Sequence, residues 1–244
     1  MASKIEKEGR RIEIEVSKGG PYIVSGKVPM SDQIIIVNEE GVPVEWRTGK
    51  NYPSTEKCSL CRCGQSKSKP FCDNSHLKVG FDGTEAASWQ PHLELAKVID
   101  GASLKLTDVE DLCASARFCH RAGEIWNLIP KSGDAGARQA AIEEAGDCPS
   151  GRLVVWDKVT GKQIEPVFEK SLGMIEDPQV GCQGPIWVRG GIPVKSASGR
   201  VYEVRNRVTL CRCGKSTIKP FCDSSHFPEH KYRELMMARK QNLP

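Results

Sequence analysis

At 244 residues, with 27% charged and 39% hydrophobic content, the chain has a globular composition with room for two or three small domains, which excludes wholesale disorder. The formal net charge of +4 comes from basic residues dispersed among acids, so there is no nucleic-acid footprint, and no apolar run is long enough to span a membrane. Aromatics are only 6%, so the cores are modest and a metal or cofactor is the expected staple.

Residues 1–10 are polar and charged with no apolar stretch. Residues 11–16 then alternate Ile12, Ile14 and Val16 against Arg11, Glu13 and Glu15, the period of a half-buried strand. Gly19-Gly20-Pro21 turns the chain, residues 22–25 and 33–37 read as short strands, and 38–41 turn into a further strand at 42–46. Between 93 and 164 the texture changes: a strand at 103–106, a cysteine-bearing loop at 113–119, a helix at 135–145 capped by Gly146, and a hairpin at 153–156 and 164–168 around Thr160-Gly161. The flanks at 88–92 and 176–183 carry Pro, Gly and Gln and read as linkers, and from Pro228 one short helix would pack Leu235, Met236 and Met237.

Eleven cysteines, an odd number in clusters, point to metal ligation in a reducing cytoplasm rather than to a disulfide framework. Residues 61–76 read C-R-C-G-Q-S-K-S-K-P-F-C-D-N-S-H and residues 211–226 read C-R-C-G-K-S-T-I-K-P-F-C-D-S-S-H, with Cys, Cys, Cys and His separated by two, nine and four in both. The repeat extends upstream: Gly20-Pro21, Val24, Gly26 and Val28-Pro29 are matched by Gly184-Pro185, Val188, Gly190 and Ile192-Pro193. Gly26 lies 35 residues before Cys61, and Gly190 only 21 before Cys211, so the first copy carries a 14-residue insertion around 38–53.

Three thiolates and an imidazole suit a tetrahedral zinc or a two-iron cluster. Four-ligand zinc sites usually have two to four residues between paired ligands, whereas Cys61 and Cys63 are separated by one. A two-iron cluster takes its ligands in pairs: Cys61 with Cys63 on an extended loop, and Cys72 with His76 at i and i+4 on one helical face.

Both stretches closely resemble the CDGSH iron-sulfur, mitoNEET-like family through Cys61, Cys63, Ser66, Pro70, Cys72, Asp73, Ser75 and His76, and through Cys211, Cys213, Ser216, Pro220, Cys222, Asp223, Ser225 and His226. The resemblance implies a [2Fe-2S] cluster on three cysteines and one histidine in each copy. The family's glycine is Asn74 in one copy and Ser224 in the other; at a positive φ, Asn is tolerated and Ser costs more. Single modules of the family pair as homodimers, which makes an intramolecular pseudo-dimer the expectation here.

Between the copies, Cys113, Cys119 and Cys148-Pro149 resemble a short divergent mono-cluster ferredoxin-like domain in which Ala116 stands where a further cysteine would be. Three thiolates serve a [3Fe-4S] cluster, or a [4Fe-4S] cluster with a borrowed ligand, for which His120 and Cys182 are candidates; the alternative is a domain that has lost its cluster and buries the three thiols. Cys58 forms C-x-x-C with Cys61, but its counterpart is Val208, so it reads as an apolar filler. His92 and His230 lack ligand partners at useful spacing and read as surface residues, as do Lys78, Arg189 and Arg239-Lys240.

The expected fold is α+β: two small β-rich modules of this type at 11–88 and 183–230 around a central ferredoxin-like domain at 93–175. No nucleophile with a base, phosphate loop or paired carboxylates forms a catalytic frame, so the chain is expected not to be an enzyme. The reading is an electron carrier with proton-coupled redox chemistry that serves redox partner proteins, without nucleic acid or membrane. A cluster-transfer or sensing protein acting on apo acceptors is the alternative, followed by a zinc-dependent structural adaptor.

Overall fold

Residues 12–228 are described by the computed structural model; Arg11 and the polar leader, His230, Arg239-Lys240 and all but the start of the expected C-terminal helix lie outside them. The alternation in the first strand works as its period requires: β1 (Glu13–Val16) buries Ile14 and Val16 and exposes Glu15. The chain turns through Gly19, at φ +62, into the antiparallel β2 (Tyr22–Ser25), then runs through β3 (Met30–Val37), β4 (Pro43–Tyr52) and β5 (Lys57–Leu60). A central unit carries β6 (Lys97–Asp100), β7 (Leu104–Asp108), β8 (Leu153–Asp157) and β9 (Gln163–Ile164). The last stretch adds β10 (Ser171–Asp177), β11 (Cys182–Arg189), β12 (Val194–Lys195) and β13 (Arg207–Leu210).

The two repeats are interlocked. One sheet has the order β12-β1-β2-β5 and the other β13-β11-β10-β3-β4, so the second repeat lends β12 to its twin's sheet and the first lends β3, which carries β4 at its outer edge. Both exchanged strands pair in parallel, with Ile14 opposite Val194 and Met30 opposite Leu172. Val24 faces Cys58 across β2 and β5, as Val188 faces Val208 across β11 and β13, so Cys58 occupies the place of an apolar side chain. It packs half-buried against the shared core, and burial raises its thiol pKa.

That core combines Ile14, Val24 and Leu60 with Leu172, Val188 and Leu210, all at most 2% exposed. Each such side chain contributes about 1.5–3 kcal/mol of burial, so neither half would keep its core alone. Tyr22, fully buried, places its hydroxyl 2.7 Å from the Cys211 carbonyl and 3.0 Å from that of Pro220, tying one repeat to the other's cysteine loop.

The 14-residue excess becomes β4, an edge strand without a counterpart. Its Trp46 stacks on Phe118 at 4.7 Å, lies 4.9 Å from Trp187 and donates to the Asp147 carbonyl at 3.1 Å, so it braces the central unit against the paired repeats. Residues 176–183, expected as a linker from their composition, instead join β10 to β11 as a hairpin. Nor is 88–92 a loose connection. Trp89 lies flat on Tyr202 at 4.2 Å, and the His92 amide donates to Glu203 at 2.7 Å.

In the central unit, Asp134 caps the helix Ala135–Gly146 by accepting from the Ala137 amide at 2.9 Å. The helix packs Ala141 and Ala145 on Leu104, Leu106, Leu153 and Val155. The sequence placed His92 on the surface, but it is 6% exposed, because the interface between the central unit and the second repeat closes over it. Burial, followed by the nearby Arg205 charge, pushes its pKa down to about 4.

A histidine whose folded pKa lies below its unfolded value near 6.5 takes up protons more readily when unfolded, so stability falls as pH drops through the window between them. The metal-free chain is expected to lose about 2–3 kcal/mol from this group between pH 6.5 and 4. Urea titrations at several pH values should show that slope reduced in His92→Gln.

Candidate metal centres

Each Cys/His loop leaves the end of a strand and is held by the same set of hydrogen bonds. The Cys61 amide donates to the Pro70 carbonyl at 2.8 Å and the Cys72 amide to that of Ser59 at 2.9 Å; the twin bonds, Cys211 to Pro220 and Cys222 to Thr209, are 2.8 and 3.0 Å. The Ser66 and Ser216 hydroxyls donate to the carbonyls of Phe71 and Phe221 at 2.6 and 2.7 Å. Asp73 accepts from the Lys67 and Ser75 amides at 2.8 and 3.0 Å, and Asp223 from those of Thr217 and Ser225 at 2.7 and 3.0 Å. The hydrogen bonds from Ser75 hold the Asp73 carboxyl below the usual range, and at Asp223 burial pushes upward but the bonds from Ser225 and Thr217 together outweigh it. The serine and aspartate of the repeated pattern therefore build the loop, and leave its thiols and imidazole to meet in pairs.

The ligands come as pairs. Cys61 and Cys63 sulfurs are 3.8 Å apart and Cys211 and Cys213 sulfurs 3.6 Å; the Nδ1 atoms of His76 and His226 each lie 3.4 Å from the sulfur of Cys72 or Cys222. The second pair of each loop does not stand on an α-helix, as the i,i+4 spacing suggested. Cys72 precedes a short 3-10 turn, Ser75–Leu77, which begins only after the left-handed Asn74.

Asn74 and Ser224 have φ of +65° and +71°, so both residues that stand at the family's glycine position adopt the left-handed backbone that glycine enters without strain. Backbone amides of Gln65, Asn74 and Lys215 point at the sulfurs of Cys63, Cys72 and Cys213 from 3.5, 3.4 and 3.4 Å, an environment suited to thiolates. The Cys211 and Cys213 sulfurs share one hydrogen bond in which either thiol can donate, so ionisation of one is favoured at the expense of the other. Among the described residues, no three His, Cys, Asp or Glu side chains converge on a single-ion geometry.

Both copies read C-R-C-G, and the arginine and the glycine each have a structural role that the ligand spacing does not signal. Arg62 and Arg212 are 1% and 6% exposed. The first donates to the Gly83 carbonyl at 2.7 Å, the second to the carbonyls of Gly184 and Ile175, both at 2.5 Å, so each anchors its loop to the body.

Gly64 and Gly214, at φ +77 and +82, bring the loops together: a Cβ on Gly64 would fall 2.5 Å from the Cys213 carbonyl oxygen, and one on Gly214 2.7 Å from that of Cys63. Gly64→Ala and Gly214→Ala are each expected to cost about 2–4 kcal/mol, from left-handed strain and overpacking together. An unchanged urea midpoint in both would mean that the loops do not abut.

The two centres differ in cover. Asn74 and Leu77 are exposed, whereas Phe227, at the Leu77 position, lies beneath Arg117 of the central unit at 5.3 Å. Burial and the nearby Arg212 push the His226 pKa down to about 4.

The central cysteines also meet. Cys113, Cys119 and Cys148 line one cavity of about 20 Å³ with Arg152, and neither His120 nor Cys182 lines it. His120 sits 3.2 Å from Glu124, and Cys182 lies in β11, where burial raises its pKa to about 11. Burial, then the Cys148 and Cys113 thiols, pushes Cys119 up. Arg152 is held protonated by a bidentate bond to Asp108 at 2.7 and 2.6 Å and by the neighbouring thiols, so it brings positive charge to the three sulfurs. Arg189, expected to be solvated, lies half-buried over the Trp187 ring at 4.9 Å.

Residues 19–77 and 183–227 match the family described as iron-binding zinc finger CDGSH type, and residues 99–158 match the divergent 4Fe-4S mono-cluster family. Comparison with curated proteins and with solved structures returns no match.

Proposed function

From a chain in which two CDGSH-type iron-binding modules flank a divergent 4Fe-4S mono-cluster domain, we propose an iron-sulfur electron carrier, not an enzyme, that works between redox partner proteins. Cys61, Cys63, Cys72 and His76 would hold one [2Fe-2S] cluster and Cys211, Cys213, Cys222 and His226 the other. The observation that carries this is the pairing of the ligands, two and two in each loop, which suits two irons better than one zinc. Cys113, Cys119 and Cys148 would hold the third centre.

Such clusters supply one-electron transfer, and a neutral histidine in place of a thiolate raises their potential. The protein's own residues supply the rest. Amides aimed at the sulfurs stabilise negative charge there, and with Nδ1 turned to the ligand pair, Nε2 of His76 and His226 is the atom left to carry a proton. Reduction should therefore depend on pH, and acid should promote cluster loss. Redox titration across pH 6–9 tests this against His76→Cys with His226→Cys; a double variant that keeps the native profile removes the histidines from the account.

The exposed first loop favours a second reading, release of its cluster to an apo acceptor. The two readings separate on mixing the loaded, reduced chain with an oxidised redox protein and with a cluster-free acceptor. A carrier is reoxidised and keeps its iron, whereas a donor gives up its iron.

A further inference from the structure

We propose that Ser224 is a positioning residue that joins the second Cys/His loop to the central cysteine loop, a link that Asn74 of the first loop does not make, so that the geometry of the central centre depends on the second loop. Its hydroxyl donates to the Cys113 carbonyl at 2.7 Å across 111 residues of sequence. Ser224 is two residues after the ligand Cys222 and two before His226, and Cys113 is itself one of the three central thiols. The side chain that departs from the family's glycine is thus the one that reaches the other centre. Serine accepts a left-handed backbone at +71° to place it there.

The same seam is closed from the other side. Arg117, inside the central loop and also left-handed at +67°, lies over the ring of Phe227, next to His226. Its guanidinium holds the Ser115 carbonyl at 3.0 Å within its own loop and reaches Asp177 of β10 at 2.5 Å and Gln179 at 3.1 Å. Ser115 is left-handed too, at +52°. Strained residues therefore face each other across a contact between two ligand loops, which is where surrounding structure must hold them. In the first copy, Asn74 has the same backbone but is exposed, with no central loop against it.

The inference rests on the proposed central centre in its iron arm only; the amide-exchange arm is independent of it. S224G suits the left-handed backbone and deletes the hydroxymethyl group that reaches Cys113, and N74G removes the side chain at the equivalent position of the first copy. In the iron- and sulfide-loaded full chain, S224G is expected to speed chelator extraction of the central iron about three- to tenfold and to shift its EPR signal, without altering the first centre. On the same full chain, whether or not the central loop takes up iron, amide hydrogen exchange of residues 114–118 is expected to rise by a similar factor. N74G is expected to change none of these. Unchanged exchange at 114–118 in S224G, or an equal change in N74G, overturns the proposal. Where the central loop holds iron, faster exchange with unchanged extraction and EPR also overturns it, because the side chain would then hold the loop without positioning the centre.

Discussion

Serine at both Cys61 and Cys63 is expected to remove about two irons and two labile sulfides per chain and leave the second loop's spectrum in place; serine at Cys211 and Cys213 should do the reverse. Each loop supplies its own ligand pairs, and no ligand is exchanged even though β3 and β12 are. The two half-loaded variants should nevertheless differ in durability. The remaining first centre has exposed Asn74 and Leu77 at its edge, whereas at the remaining second centre Arg117 covers the Phe227 ring beside the histidine. Chelator extraction should therefore be several-fold faster from the chain that retains Cys61 and Cys63. Equal rates would mean that the central unit gives the second loop no cover.

Replacing Arg117 by leucine is expected to cost about 3–5 kcal/mol, the largest single-residue loss outside the ligands. Arg117 and Asp177 are 3% and 4% exposed and meet at 2.5 Å, so removing the guanidinium leaves a buried carboxylate without its counter-ion. The same change releases Gln179, the Ser115 carbonyl and the Phe227 ring. R117L with D177L should be less costly than the sum of the single changes, and denaturant titrations of the three variants measure that coupling. An additive pair would show that the ion pair contributes nothing beyond its separate side chains.

What could be read in the sequence is what repeats or alternates. Two sets of Cys, Cys, Cys and His at identical spacing mark the ligand loops, the period of Ile14 and Val16 marks β1, and Val208 at the Cys58 position removes that cysteine from the ligand set. The strand exchange could not be read there, because β12 is two residues long and parallel pairing leaves no local turn signal. The hairpin of β10 and β11 was hidden by a turn, Pro178 to Gly181, whose composition is that of a linker. His92 carries nothing in its neighbours that announces burial; Trp89 and Tyr202, which close over its region, are 113 residues apart. The arginine in C-R-C stands in both copies, but a charge between ligands carries no local signal of burial; its partners, the carbonyls of Gly83 and Gly184, lie about twenty or more residues away in the chain.

The central claim is that both Cys/His loops hold two-iron clusters, and anaerobic purification followed by iron, sulfide and zinc counting with EPR of the reduced protein tests it most directly. The account predicts labile sulfide with at least about four irons per chain, a reduced [2Fe-2S] signal that falls by half in either cysteine-pair variant, and zinc well below one per chain. About two zinc ions per chain with no labile sulfide would contradict it and make the loops structural zinc sites.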